Sequence, residues 1–268
     1  MQITTFLKLW FVDIFEITLL LKARTVIRPT TVFTMKQSSL RIKLILTSIF
    51  LALLCLTLLP LMQKNKIKWV MEEYYSSPRW NKLKLEYESA PVVNAAVLFY
   101  GNSMTENFKP FMRDKDYLNF GISGDFSKGL IDRSESVVRQ QPKQLFIMIG
   151  INDLIEKIPV NEVFANYQTL IKIFLEKCPG TKIFIQSTLP TRGLNSTFSS
   201  SFDINNKVIE LNERLDQLCH KQNITYVNLY SAFVDEKNLL KESLSSDGVH
   251  LTNEGYELWE AELQGVVQ

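Results

Sequence analysis

A chain of 268 residues, 46% hydrophobic and 22% charged, has room for one domain of ordinary size and an additional segment. A formal net charge of +2 supplies no basic field for a polynucleotide, so nucleic-acid binding is disfavoured. Three cysteines with no Cys-x-x-Cys pair, and only two histidines, argue against a disulfide framework and against a His-ligated metal site.

The additional segment comes first. Residues 6–21 are apolar but interrupted by Lys8, Asp13 and Glu16, and read as an interfacial amphipathic helix or a poor membrane span. Met35-Lys-Gln-Ser-Ser-Leu-Arg-Ile-Lys has the character of the start of a signal-type segment, so residues 1–34 are expected to derive from an upstream start codon. Residues 44–62 carry no charge and have the length that crosses a bilayer. Lys36, Arg41 and Lys43 precede them and Lys64, Lys66 and Lys68 follow, the pattern of a signal peptide or signal anchor. No small-x-small cleavage site follows Pro60, which favours an uncleaved anchor; cleavage would instead give a secreted protein. Cys55 is a weak lipoprotein site because Leu54 stands where a small residue is expected. Counting Lys22, Arg24 and Arg28, positive charge is in excess before the span, which places the folded part outside the cytoplasm. The expected organisation is a basic segment over 1–43, the span over 44–62, a stem over 63–91 and a folded domain over 92–268. The stem aromatics Trp69, Tyr74, Tyr75 and Trp80 have two possible homes, the domain surface and the membrane interface.

From residue 92 strands and helices alternate. Strands are predicted over 93–100, 117–120, 145–149, 182–186 and 225–229. Helices are predicted over 105–113, 127–140, 160–177, 204–222 and 253–267, the third carrying Val163, Tyr167, Leu170, Ile171 and Phe174 at helical spacing. Such alternation implies right-handed crossovers and a parallel sheet covered on both faces. The expected fold class is therefore α/β, a flavodoxin-like doubly wound sheet of about five parallel strands preceded by an N-terminal transmembrane helix.

Polar residues gather beyond the strand ends. Ser103 follows strand one, Gly121-Ile-Ser-Gly-Asp follows strand two, Gly150-Ile-Asn-Asp follows strand three, and Asp247-Gly-Val-His precedes the last helix. Each has a plain structural reading as well: Ser103 as a helix cap, the glycine loop as a tight turn, Asn152 and Asp153 as an N-cap pair, His250 as a surface histidine. Those readings do not explain why all four fall at one edge of the sheet, where such folds bind ligands. A single chemistry unites them. Serine becomes a nucleophile when an adjacent base takes its proton, imidazole titrates near neutral pH, and a carboxylate three residues away can hold its other nitrogen. Ser103, His250 and Asp247 supply these parts. The oxyanion of the tetrahedral intermediate needs donors, for which the N–H groups of Ser103 and Gly124 and the Asn152 amide are candidates. Gly124 lets a backbone N–H approach substrate with no side chain in the way.

The four stretches resemble, in order, the four blocks of the SGNH (GDSL-like) hydrolase family, and the similarity covers about residues 93–268. Asn119-Phe-Gly-Ile-Ser-Gly-Asp and Ile149-Gly-Ile-Asn-Asp-Leu are most similar to the branch of platelet-activating-factor acetylhydrolase and acetyl-esterases. The resemblance implies Ser103 as nucleophile, His250 as base, Asp247 as its partner, Gly124 and Asn152 as oxyanion donors, and no metal or organic cofactor. Asn102 departs from it, since the family usually has Asp there. The expected activity is hydrolysis of small acyl esters, acetyl in particular, on a carbohydrate or lipid-like alcohol, with the membrane reached through the N-terminal helix. Lysophospholipase-type hydrolysis, acyl transfer to another alcohol, and a non-catalytic glycan- or lipid-binding module are the alternatives. Residues 191–203 are a candidate wall of the substrate pocket or a solvated loop. Arg133 and Arg192 are candidates for contact with an anionic group, or ordinary surface residues.

Overall fold

The computed structural model describes residues 31–93, 95–108, 117–193, 195–196 and 199–266. The apolar stretch at 6–21 lies outside them, as does most of the helix expected to run on to residue 113. The chain divides into two compact units, Met1–Lys68 and Trp69–Gln268.

Helix α1 (Thr31–Ser76) provides the described part of the first unit and the opening turns of the second. From Ile42 it is long and apolar enough to cross a membrane: the most apolar window has a mean hydropathy of 2.6 and is nowhere buried. Its few hydroxyls bond back along the helix, Thr47 to the Lys43 carbonyl at 2.8 Å and Ser48 to that of Leu44 at 2.9 Å. A polar side chain so satisfied can sit in an apolar helix without leaving a donor unpaired. By length and composition the helix is a candidate membrane anchor or signal sequence.

In the second unit, α2 (Pro78–Ser89) begins with Pro at its first position and Ser77 as N-cap, its hydroxyl accepting the Trp80 N–H at 3.3 Å. The sheet follows: β1 (Val97–Gly101), β2 (Tyr117–Gly121), β3 (Gln144–Met148), β4 (Lys182–Gln186) and, after the two-residue pair β5 (Asn195–Ser196) and β6 (Ser199–Ser200), β7 (Thr225–Val227). The order is β2-β1-β3-β4-β7 and every pairing in it is parallel. This is the expected flavodoxin-like arrangement. Alternation along β1 divides the core. Phe99, in register with Phe146 and Phe184, belongs to an aromatic ladder with ring centroids 5.1 and 4.4 Å apart. That cluster includes Trp259 and Leu263 of the last helix, α10 (Asn253–Leu263). Tyr100 faces the other way, its hydroxyl donating to the Leu130 carbonyl at 2.6 Å and its ring meeting Phe174 of α7 (Val160–Lys177) edge-on.

The helix predicted over 127–140 is broken into α4 (Ser127–Asp132) and α5 (Glu135–Gln140). The break falls at Arg133, which closes α4, and Ser134, which precedes α5. The Arg133 guanidinium is fully buried and reaches the Phe120 and Gly101 carbonyls at 2.6 and 2.9 Å and the Asp125 carboxylate at 2.8 Å. Helix α8 (Ser201–Gln222) starts three residues before the expected Ile204, because Ser200 and Asp203 form a capping box. The short helices α3 (Ser103–Asn107), α6 (Ile151–Ile155) and α9 (Tyr230–Phe233) complete the unit, with a 3-10 turn at Glu242–Leu244.

Candidate active site

All four polar stretches lie beyond the C-terminal ends of the strands or before α10. Ser103 is the first residue of α3, and Asn102, not Ser103, is the cap: its side chain accepts the Met104 N–H at 3.1 Å. The departure at Asn102 therefore has a local role, and the serine hydroxyl stays free for another partner. That partner is His250, whose Nε2 stands 3.1 Å from Ser103 Oγ across 147 residues of sequence. His250 Nδ1 is 2.6 Å from Asp247 Oδ2. Asp247 in turn accepts the N–H groups of Val249 and His250 at 2.9 and 2.7 Å through its other oxygen. The loop is pinned from outside by the Gly248 carbonyl, which accepts the Arg192 N–H at 2.8 Å. Ser103 is only 4% exposed, whereas the side chains of His250 and Asp247 are about half exposed, at 45% and 52%.

Partial burial raises the Asp247 pKa, but the His250 ring, the two backbone N–H groups and the imidazole charge outweigh it and pull the carboxyl down to about 2. A carboxylate depressed in this way stays ionised until the pH falls through about 2, so the group that orients His250 persists across any working range.

The glycine loop and the third-strand loop are tied together. Asn152 donates one amide N–H to the Asp125 carbonyl at 2.9 Å. An amide has two such hydrogens, so one remains for a ligand. Residues 122–125 form a turn closed by Asp125 N–H to the Ile122 carbonyl at 3.1 Å, with Gly124 at φ +83°. That φ is the signature of a type II turn, and glycine occupies it without strain. Behind the loop, Asp153 is fully buried and accepts the Ser127 hydroxyl at 2.6 Å and its N–H at 3.1 Å.

Burial pushes the Asp153 carboxyl up to about 7, against the lowering effect of the Ser127 hydrogen bonds. With a folded pKa above the unfolded value of about 3.9, this group's stabilisation is complete at low pH and is lost as pH rises through 7. The urea midpoint of the wild type relative to Asp153→Asn is expected to fall from about pH 4 to about pH 7 and to level off above that. A difference that stays constant with pH would contradict this.

A narrow, mostly apolar cavity with space for about 10 Å³ is lined by Asn102 and Met104, the neighbours of Ser103 in sequence, and by Met148, Ile151, Leu189 and Pro190 among others. Leu189 and Pro190 follow β4 and were the part missed from sequence, which singled out residues 191–203 instead. The rule that ligands meet strand ends applies from Ser187 onward and points to them. Thr191 is scaffold, bonded through its N–H to Asn205 at 2.8 Å. The two arginines are not free for substrate either. Arg133 is buried against Asp125, and Arg192 pairs with Asp235 and with the Leu240 carbonyl. Among the described residues no cluster of His, Cys, Asp and Glu is arranged to hold a metal ion.

The sequence profile of the GDSL-like Lipase/Acylhydrolase family matches residues 96–258. Among curated proteins, the N-acylneuraminate cytidylyltransferase of Streptococcus agalactiae is 27% identical over 150 residues, 56% of this chain. The chain spans 34% of that relative's length. Among solved structures, a GDSL-like lipase of Bacteroides thetaiotaomicron is 25% identical with a TM-score of 0.63, covering 70% of this chain and 96% of that one. Axe2, an acetylxylan esterase of Geobacillus stearothermophilus, shares the fold with a TM-score of 0.50 at 21% identity, covering 63% and 92% of the two chains.

Proposed function

Because the chain belongs to the GDSL-like lipase/acylhydrolase family and so to the ester-bond hydrolases, we propose that it is a membrane-anchored serine esterase removing small acyl groups, acetyl above all, from carbohydrate or lipid-like alcohols. The observation that carries this reading is the continuous relay from Ser103 Oγ to His250 Nε2 at 3.1 Å and from His250 Nδ1 to Asp247 at 2.6 Å.

In this mechanism His250 takes the Ser103 proton as the oxygen attacks the acyl carbon. The carbonyl oxygen becomes an oxyanion and accepts hydrogen bonds from the N–H groups of Ser103 and Gly124 and from the free amide hydrogen of Asn152. Collapse breaks the ester bond, His250 returns its proton to the departing alcohol, and an acyl-enzyme remains. Water, deprotonated by the same histidine, attacks that ester and releases the acid with Ser103 restored. Asp247 holds the Nδ1–H tautomer and stabilises the imidazolium. The steps call on no cofactor.

Three observations support the finer reading. The cavity lined by Asn102 and Met104, on either side of Ser103 in sequence, is narrow, with space for about 10 Å³, which favours a small acyl group over a long chain. The curated relative is named for an N-acylated sugar acid and Axe2 for acetylxylan, which favours an acylated carbohydrate. The exposed apolar surface of α1 supports anchoring, and the basic residues before it favour a catalytic unit outside the cytoplasm. That same helix favours a second reading, lysophospholipase-type hydrolysis at the membrane. A series of p-nitrophenyl esters separates them. Turnover that depends on Ser103 is expected to fall about tenfold or more from acetyl to hexanoyl, each methylene being excluded by the packed wall. A maximum at long chains would replace the small-acyl reading by the lipolytic one.

A further inference from the structure

The last turns of α1 and helix α2 pack on the glycine loop, with contacts from Gly121 to Asp125. The Tyr74 hydroxyl donates to the Ser123 carbonyl at 2.8 Å. Ser123 N–H, one peptide earlier, donates to Glu106 Oε2 at 2.6 Å, and Glu106 is paired with Arg79 of α2 at 2.6 Å. Trp80 Nε1 donates to Asp125 Oδ1 at 3.2 Å, and Tyr87 donates to the Gly121 carbonyl at 2.9 Å. The Tyr74 ring lies so close over Gly124 that a Cβ there would come within 2.8 Å of Cε2. Tyr74 is further fixed by edge-on contacts with Tyr75 and Phe126, at 5.2 and 5.5 Å between centroids.

The carbonyl of Ser123 and the N–H of Gly124 belong to the same trans peptide and point in opposite directions. Type I and type II turns differ chiefly by a flip of that central peptide, and glycine at the third position tolerates both. Glycine therefore permits the orientation at Gly124 without choosing it. We propose that Tyr74 is a positioning residue for catalysis: its hydroxyl locks the Ser123–Gly124 peptide in the type II orientation, so that the Gly124 N–H stays aimed at the oxyanion. This rests on the reading of Gly124 as an oxyanion donor. The hydrogen bond on the carbonyl also polarises the peptide and strengthens its N–H as a donor. Burial, with the nearby Asp125 charge next, pushes the Tyr74 phenol well above its ordinary value, so the hydroxyl remains a donor throughout the working range.

The test uses the full chain in detergent with p-nitrophenyl acetate. Tyr74→Phe keeps the ring over Gly124 and removes only the donor, so folding is preserved. Its kcat is expected to fall about tenfold, a part of the hundredfold or more that deleting an oxyanion donor costs, with KM within about twofold of wild type. Tyr75→Phe is the control. The Tyr75 hydroxyl is buried with no hydrogen-bond partner among the described residues, so its removal is expected to leave both constants unchanged. The proposal is overturned if Tyr74→Phe retains kcat within about twofold, if its loss lies in KM, or if Tyr75→Phe loses kcat equally. Wild-type turnover that does not depend on Ser103 would instead overturn the underlying oxyanion reading, and this one with it.

Discussion

Replacing Ser103 by alanine is expected to lower kcat for p-nitrophenyl acetate by about 10⁵–10⁶, leaving the slow background that oxyanion donors and binding alone sustain. The size follows from the geometry. The hydroxyl is the atom that forms the acyl bond, and among the described residues its hydrogen-bond partner is His250 alone. Removing it also costs little stability, since one oxygen leaves a site that is otherwise packed, so the thermal unfolding of the variant is expected to match the wild type. Asp247→Asn is expected to lose less, about 10⁴, because Asp247 orients the imidazole rather than attacking. His250→Ala combined with Ser103→Ala is expected to be no worse than either alone, as befits groups that act as one unit. A Ser103→Ala enzyme with more than about a hundredth of wild-type kcat would show that the hydroxyl is not the nucleophile.

The largest effect on stability is expected at Arg133. Arg133 and Asp125 have side chains with no solvent exposure, 2.8 Å apart, and the guanidinium also serves the carbonyls at the ends of β1 and β2. Arg133→Met leaves the Asp125 charge buried with, among the described residues, Trp80 Nε1 and the Phe126 N–H as its remaining partners. An uncompensated buried charge costs about 3–5 kcal/mol. At a urea slope of about 2 kcal/mol per molar, the midpoint is expected to fall by about 2 M. Arg133→Lys is expected to lie between the two, since one ammonium lacks the planar fork that satisfies three acceptors. If Arg133 instead recognised an anionic substrate, Arg133→Met would raise KM and leave the urea midpoint in place.

Much of this was readable in sequence because the signals were local or periodic. Continuous apolar runs marked β1, β3 and β4, and the five parallel strands fell in the expected order. Val163, Tyr167, Leu170 and Phe174 defined α7 to its ends. Residues placed just beyond strand ends were legible for the same reason, since the fold brings those ends to one edge; Ser103 and His250 meet there although 147 positions apart. What sequence hid was a side chain acting against its local pattern. Arg133 sits where a continuous amphipathic helix is expected, and its buried acceptors at Gly101, Phe120 and Asp125 come from distant parts of the fold. The aromatic stem left two homes open, and a tertiary fact decides between them. Trp80 is buried and Tyr87 stacks on Phe120 at 4.6 Å, while Trp69 remains 60% exposed. The true start of α8 depended on a two-residue cap, Ser200 with Asp203, lying inside a stretch whose composition resembled a loop.

The most direct measurement is the mass of the enzyme quenched in acid during turnover of p-nitrophenyl acetate, followed by peptide mapping. The account predicts one acetyl group per chain, carried by the peptide that contains Ser103, and absent both in Ser103→Ala and in His250→Ala, which lacks the base for acylation as well as for hydrolysis. An acetyl group mapped to any other residue, or turnover with no covalent intermediate under conditions that trap one in other serine esterases, would contradict it.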